Sequence, residues 1–166
     1  DATEEQLRQQ TSGLLLHLAA HGLVDERFPI ETAIALASPA ENLNTPQQDE
    51  AADGYLRVWE IFEGLTFDHD LVTLSACDTA LGRGVAGEGV LGLSRAFHYA
   101  GARSVLMTLW NVDDASKAVF MGHFYRHLKN GASKDVALQQ AQAALLKDPR
   151  TAHPFYWAPF LLSGAR

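Results

Sequence analysis

Two side chains suited to nucleophilic chemistry sit in matching local sequences. Cys77 is the only cysteine, and it closes the apolar part of Leu71 to Gly82 (LVTLSACDTALG). His21 closes an earlier run of the same design, Gly13 to Gly22 (GLLLHLAAHG). A thiolate is a strong nucleophile, and a neighbouring imidazole is the usual base or cationic partner that keeps it deprotonated. Each residue alone has an ordinary structural explanation: free cysteine is among the most buried residue types, and the chain has seven histidines. The pair says more. Both end apolar runs, and both lie beside small residues (Ala76; Ala20 and Gly22) that leave room for a substrate backbone. A single cysteine with a histidine remote in sequence is the arrangement expected of a thiol nucleophile.

The elements that must position them follow from the same runs. Short apolar stretches bounded by turn formers predict strands buried on both faces, and in an open α/β sheet chemistry sits beyond the carboxyl ends of such strands. If the two strands are parallel neighbours, thiol and imidazole share one edge. The run over 14–20 has little alternation and predicts an interior strand. His17 precedes His21 by four residues, about 13 Å along a strand, so the two cannot act on one atom, and His17 reads as a hydrogen-bonded core residue. Zinc binding by His17 and His21 would need a helix and a third ligand that is not evident.

Around these strands, residues 1–12 predict a helix. Residues 31–38 form a candidate strand with residues 54–57 as its hairpin partner, and the polar, proline-bearing 39–53 between them reads as a surface loop. Helical spacing over 56–65 predicts the crossover helix into the Cys77 strand. Gly82 to Gly87 spells G-x-G-x-x-G, but CDTAL separates it from the strand, so a pliable loop is the better reading than a nucleotide fingerprint. A helix over 90–100 closed by Gly101, a buried strand over 103–110, helices over 115–129 and 133–147, and a last edge strand over 155–162 complete the chain. The strand over 103–110 should end beside Cys77, which makes the stretch from Trp110 to Asp114, with Trp110, Asn111 and Asp113 foremost, the candidate wall of a substrate pocket, with Ser75 and Asp78 flanking the cysteine. Asp113 or Asp114 has a competing reading as a helix cap.

HLAAHG, LVTLSACDTALG, EGVLGLSRAFHYAGARSVLMTLWNVDD and FYRHLKNG, in that order, together resemble the CHAT-domain cysteine peptidases, relatives of caspases and separase in clan CD. The resemblance implies a caspase-like three-layer α/β/α fold with a mostly parallel sheet, one domain over 1–166, and correspondence to the catalytic C-terminal portion of such a domain, its N-terminal strands lying outside this chain. It implies a cysteine endopeptidase without a cofactor or metal, with His21 and Cys77 as a dyad and the backbone N–H groups of Gly22 and Cys77 as oxyanion donors. Relatives that cut after Arg or Lys often carry an acid two residues before the nucleophile. Here that residue is Ser75, which gives no support to a strictly basic preference. A catalytically silent scaffold of the same fold, acting through protein interactions, is the alternative. Expected partners are a protein substrate, a regulatory repeat or sensor domain, and the N-terminal part of the domain.

Composition bounds the reading further. With 166 residues, 47% of them hydrophobic, the chain is large enough for one layered core. A net charge of -7 without a Lys/Arg cluster gives nucleic-acid or anionic-membrane binding little support. One cysteine leaves no internal disulfide, and the chain is expected to work in a reducing cytoplasm. The first residues are polar and acidic, unlike a secretion signal.

Overall fold

A computed structural model of the chain describes residues 3–25, 27–37, 53–75, 77–78 and 88–166. The loop over 39–53 and the glycine run Gly82 to Gly87 thus fall almost entirely outside the described residues. Thr3 caps α1 (Glu4–Gln9), accepting from the Gln6 amide while the Gln6 side chain returns the bond. The chain then enters β1 (Ser12–Leu18) and, after a break at Ala19 and Ala20, β2 (His21–Leu23). A 3-10 turn over Pro29–Glu31 leads to β3 (Ala33–Ala35), which pairs antiparallel with both β2 and β4 (Tyr55–Arg57). The crossover helix α2 (Val58–Gly64) feeds β5 (Asp68–Leu74), and the short β6 (Cys77–Asp78) comes next. Then come α3 (Glu88–Tyr99), β7 (Ser104–Thr108), α4 (Asp114–Lys129), α5 (Lys134–Lys147), the single turn α6 (Pro154–Trp157) and β8 (Phe160–Gly164).

The main sheet runs β1-β5-β7-β8, parallel except for β8, which lies antiparallel on β7. Apolar residues leave it alternately on both faces, as a strand buried on both sides requires. Val72, Leu74, Val105 and Met107 pack with Ile61 and Phe97 under α2 and α3, whereas Leu71 and Leu106 pack with Phe120, Phe124, Ala137 and Leu145 under α4 and α5. Helices therefore cover both faces of a mostly parallel sheet, in three layers, as the caspase-like fold requires. Every residue of β7 is buried.

Two parts of this arrangement differ from the sequence expectation. β1 forms an edge of the main sheet rather than its interior, and Leu14 is 85% exposed. The leucine-rich run has the composition of a two-sided core strand, but among the described residues only β5 pairs with β1. The last strand also begins later than 155, because Pro154 opens a helical turn that the His153 side chain caps by accepting from Phe155 N–H. β8 then starts just past Pro159, whose carbonyl accepts from Leu109 N–H. The aromatic residues 155–157 have strand propensity, and the proline and its cap override it.

Candidate active site

The two strand paths that carry His21 and Cys77 are held in one register from end to end. Ser12 lies opposite Asp68, Leu18 opposite Leu74, and after the break His21 opposite Cys77 and Gly22 opposite Asp78. Ser75 N–H donates to Leu18 O at 3.0 Å across the gap, so the parallel pair persists where the regular ladder pauses. His21 and Cys77 are thus direct backbone neighbours at the carboxyl end of the pair. β3 brackets the other side of β2, placing Ala35 opposite His21.

A cavity of about 410 Å³ opens at this edge, between the strand ends and the start of α4. His17, Ala19, Ala20, His21 and Ser75 line it from the sheet, and Asp114, Lys117, Ala118 and Met121 from the helix. Spacings of three and four place these α4 residues on one helical face. Tyr125, one turn further on the same face, bonds the His17 ring: its Oη lies 2.8 Å from His17 Nδ1 and donates to Thr73 Oγ1 at 3.0 Å. His17 Nε2 is buried without a hydrogen-bond partner among the described residues. Burial holds the His17 imidazole below its ordinary pKa and pushes the Tyr125 phenol above its own. His17 is therefore a neutral, hydrogen-bonded residue in the wall of the cavity. His21 is exposed at its mouth.

The remaining residues singled out from sequence fall in different places. Ser75 lines the His21 cavity. Asp78 joins the site through its backbone, opposite Gly22, and Gly22 is buried. Asp113 caps α4, its Oδ1 accepting from Ser116 N–H at 2.9 Å, and this bond lowers its carboxyl pKa. It borders a separate cavity shared with Ser116, Arg150 and Tyr156. Trp110 directs its indole N–H to Phe155 O at 3.0 Å, and Asn111 is exposed. Asp114, at the end of the stretch expected to wall the pocket, does line the cavity, whereas Lys117 was not apparent from motif reading. Its signal was the inward stripe of α4, where charged residues stand at positions 114 and 117 beside small and apolar ones.

A three-layer α/β fold with a histidine and a cysteine paired at the carboxyl edge of its parallel strands defines a caspase-like class. The chain belongs to the CHAT domain family, whose model matches residues 1–165. Two relatives bear the same name, Tetratricopeptide repeat protein 28. The mouse protein (Mus musculus) is 39% identical over 95 residues, which is 57% of this chain and 4% of that protein. The human protein (Homo sapiens) is 40% identical over 81 residues, 49% of this chain and 3% of that protein. The chain thus spans only a small part of the length of these relatives. Among the described residues, no helix is long and apolar enough to cross a membrane.

Proposed function

We propose that the chain is a cysteine endopeptidase, the catalytic portion of a CHAT domain, in which His21 and Cys77 form the dyad. The observation that carries this reading is the parallel register that sets His21 opposite Cys77 beside an open cavity. The Cys77 thiolate attacks the scissile carbonyl, forming the S–C bond. The oxyanion is held by backbone N–H groups, with Gly22 and Cys77 as the donors. The C–N bond breaks as the His21 imidazolium gives its proton to the leaving amine, producing a thioester. His21 then takes a proton from water, the hydroxide cleaves the thioester, and the thiolate is regenerated. No cofactor or metal is needed for these steps. Gly22 allows the substrate backbone to approach closely, since a side chain there would crowd it.

The chemistry and the relatives support a reading of the natural setting. A free thiol works in a reducing cytoplasm. The protein substrate meets the dyad in the cleft, a repeat domain like that named in the relatives governs access, and the open edge of β1 takes further strands of the same domain.

Alkylation of Cys77 by iodoacetamide, followed by intact mass, tests the reading. Labelling should be fast in the native protein and slower by about 10²- to 10⁴-fold in His21→Ala, the range a positioned general base contributes. Equal, slow rates in both proteins would favour a silent scaffold.

A further inference from the structure

β2, β3 and β4 form a small sheet whose two faces differ sharply. Residues directly opposite one another on paired strands share a face. Gly22, Ile34 and Leu56 make one such row, and all three are buried, Ile34 and Leu56 packing in the core with Ile61 and Phe97. Alternation turns the neighbouring row, His21, Ala35 and Tyr55, outward. His21 is exposed, Ala35 is half-buried and Tyr55 is 42% exposed. By register the row continues on the other side of His21 to Cys77. The order across the strands is therefore Cys77, His21, Ala35, Tyr55.

Tyr55 is the first large side chain beyond His21 in that line. Strands lie about 4.8 Å apart, which puts Tyr55 about 10 Å from His21 with Ala35 between them. Its ring is held in place. Arg57, two residues on and on the same face, sets its guanidinium carbon 5.8 Å from the ring centroid and donates to Tyr55 O at 3.3 Å. Arg57 is itself fixed by Asp53 at 2.6 Å and by Glu31 and Glu60. A preset aromatic surface loses little freedom when a partner settles on it.

The peptidase chemistry gives this line a direction. Cys77 holds the acyl half of the substrate and His21 gives its proton to the leaving amine, so the leaving half lies on the His21 side of the thiol. Continued straight, it crosses Ala35 and reaches Tyr55. An extended chain advances about 3.3 Å per residue, which brings its third residue over the ring. Alternation turns the first and third side chains towards the sheet and the second away, and the small Ala35 lets the backbone lie close where that second residue passes.

We infer that Tyr55 is a specificity determinant for the leaving half of the substrate, selecting a large apolar or aromatic side chain three residues after the scissile bond. The inference rests on the peptidase reading. Such a side chain buries apolar area against the ring and, if aromatic, adds edge-on or offset stacking. An acidic side chain gains nothing from Arg57, whose charge Asp53, Glu31 and Glu60 already meet, and a basic one finds Arg57 already over the ring.

Digestion of a proteome-derived peptide library by the full protein chain, with the new amino termini read by mass spectrometry, tests this. Large apolar and aromatic residues should be enriched at the third position of the released fragments by at least about threefold over the library background. Tyr55→Phe should keep the enrichment, and Tyr55→Ser should return that position to background. Tyr55→Glu should replace it with enrichment of Lys and Arg. Each readout is a ratio within one digest, so a lower yield of folded variant does not mimic lost selectivity. Tyr99→Ser, which removes an exposed aromatic set edge-on to Phe62 and outside this row, should leave the native pattern intact. A native digest with no preference at the third position, or a preference that Tyr55→Ser leaves unchanged, would overturn the subsite and leave the peptidase standing. No cleavage by the native chain would overturn both.

Discussion

His17 and His21 lie on one strand path and border one cavity, yet their surroundings give them different work. His17 is tied to Tyr125 and through it to Thr73, and burial keeps it neutral; His21 is exposed at the cavity mouth. His69, 2% exposed, is also shifted down, desolvation outweighing the opposing effect of Asp68. Both depressed imidazoles bind protons more readily in the unfolded chain. The stability they contribute is present above the ordinary value of 6.5 and is lost as pH falls through it towards the folded values. Urea unfolding between roughly pH 7.5 and pH 5 should show this decline, and His17→Gln should flatten its share of it. Stability that rises on acidification over this range would contradict the assignment.

At the scale of elements, the start of α4 carries two neighbouring acids with separate duties. Asp113 satisfies the helix N-terminus, whereas Asp114 faces the cavity. Asp113→Ala should lower stability by about 0.5–2 kcal/mol, measured by urea unfolding. Gly101 ends the turn between α3 and β7 at a φ of 112°, and a Cβ there would collide with the Phe67 carbonyl oxygen. Gly101→Ala should cost about 1–3 kcal/mol in the same assay. The turn signal at Gly101 was legible in the sequence, as were both reactive strands, because each rests on local pattern: an apolar run with a small-residue stop, or a helical period with a glycine after it. The pairing of β3 with β4 was legible for the same reason. What escaped were features decided by neighbours distant in the chain. An edge strand and a core strand can share one composition, so the leucines of β1 did not reveal that Leu14 faces solvent. A helical charge such as Lys117 looks like an ordinary surface residue until the sheet supplies the opposite wall. Asp113 showed the converse difficulty, since an acid near a strand end suits a cap and a pocket equally well.

For the molecule as a whole, the outer side of β1 matters most. Among the described residues no strand pairs with the outer side of β1, and such an edge with the exposed Leu14 and Leu15 beside it is a template for pairing. The chain expressed alone should self-associate in a concentration-dependent way, visible by sedimentation velocity, and Leu14→Lys should shift it towards monomer. A native chain that stays monomeric at high concentration would show that the edge is protected by other means. The unbroken register of β1 with β5 and of β2 with β6 has a temporal consequence. The cysteine and its histidine are far apart along the chain and meet only when strands separated by a hairpin and a helix have closed on each other, a non-local and therefore slow event. Reactivity should then appear in the last refolding phase, together with the native sheet and never ahead of it. On the peptidase reading proposed above, a chain built this way is born harmless: it would acquire its cutting edge only once its fold is complete, and slipping the pairing by one residue would disarm it without removing a single reactive atom.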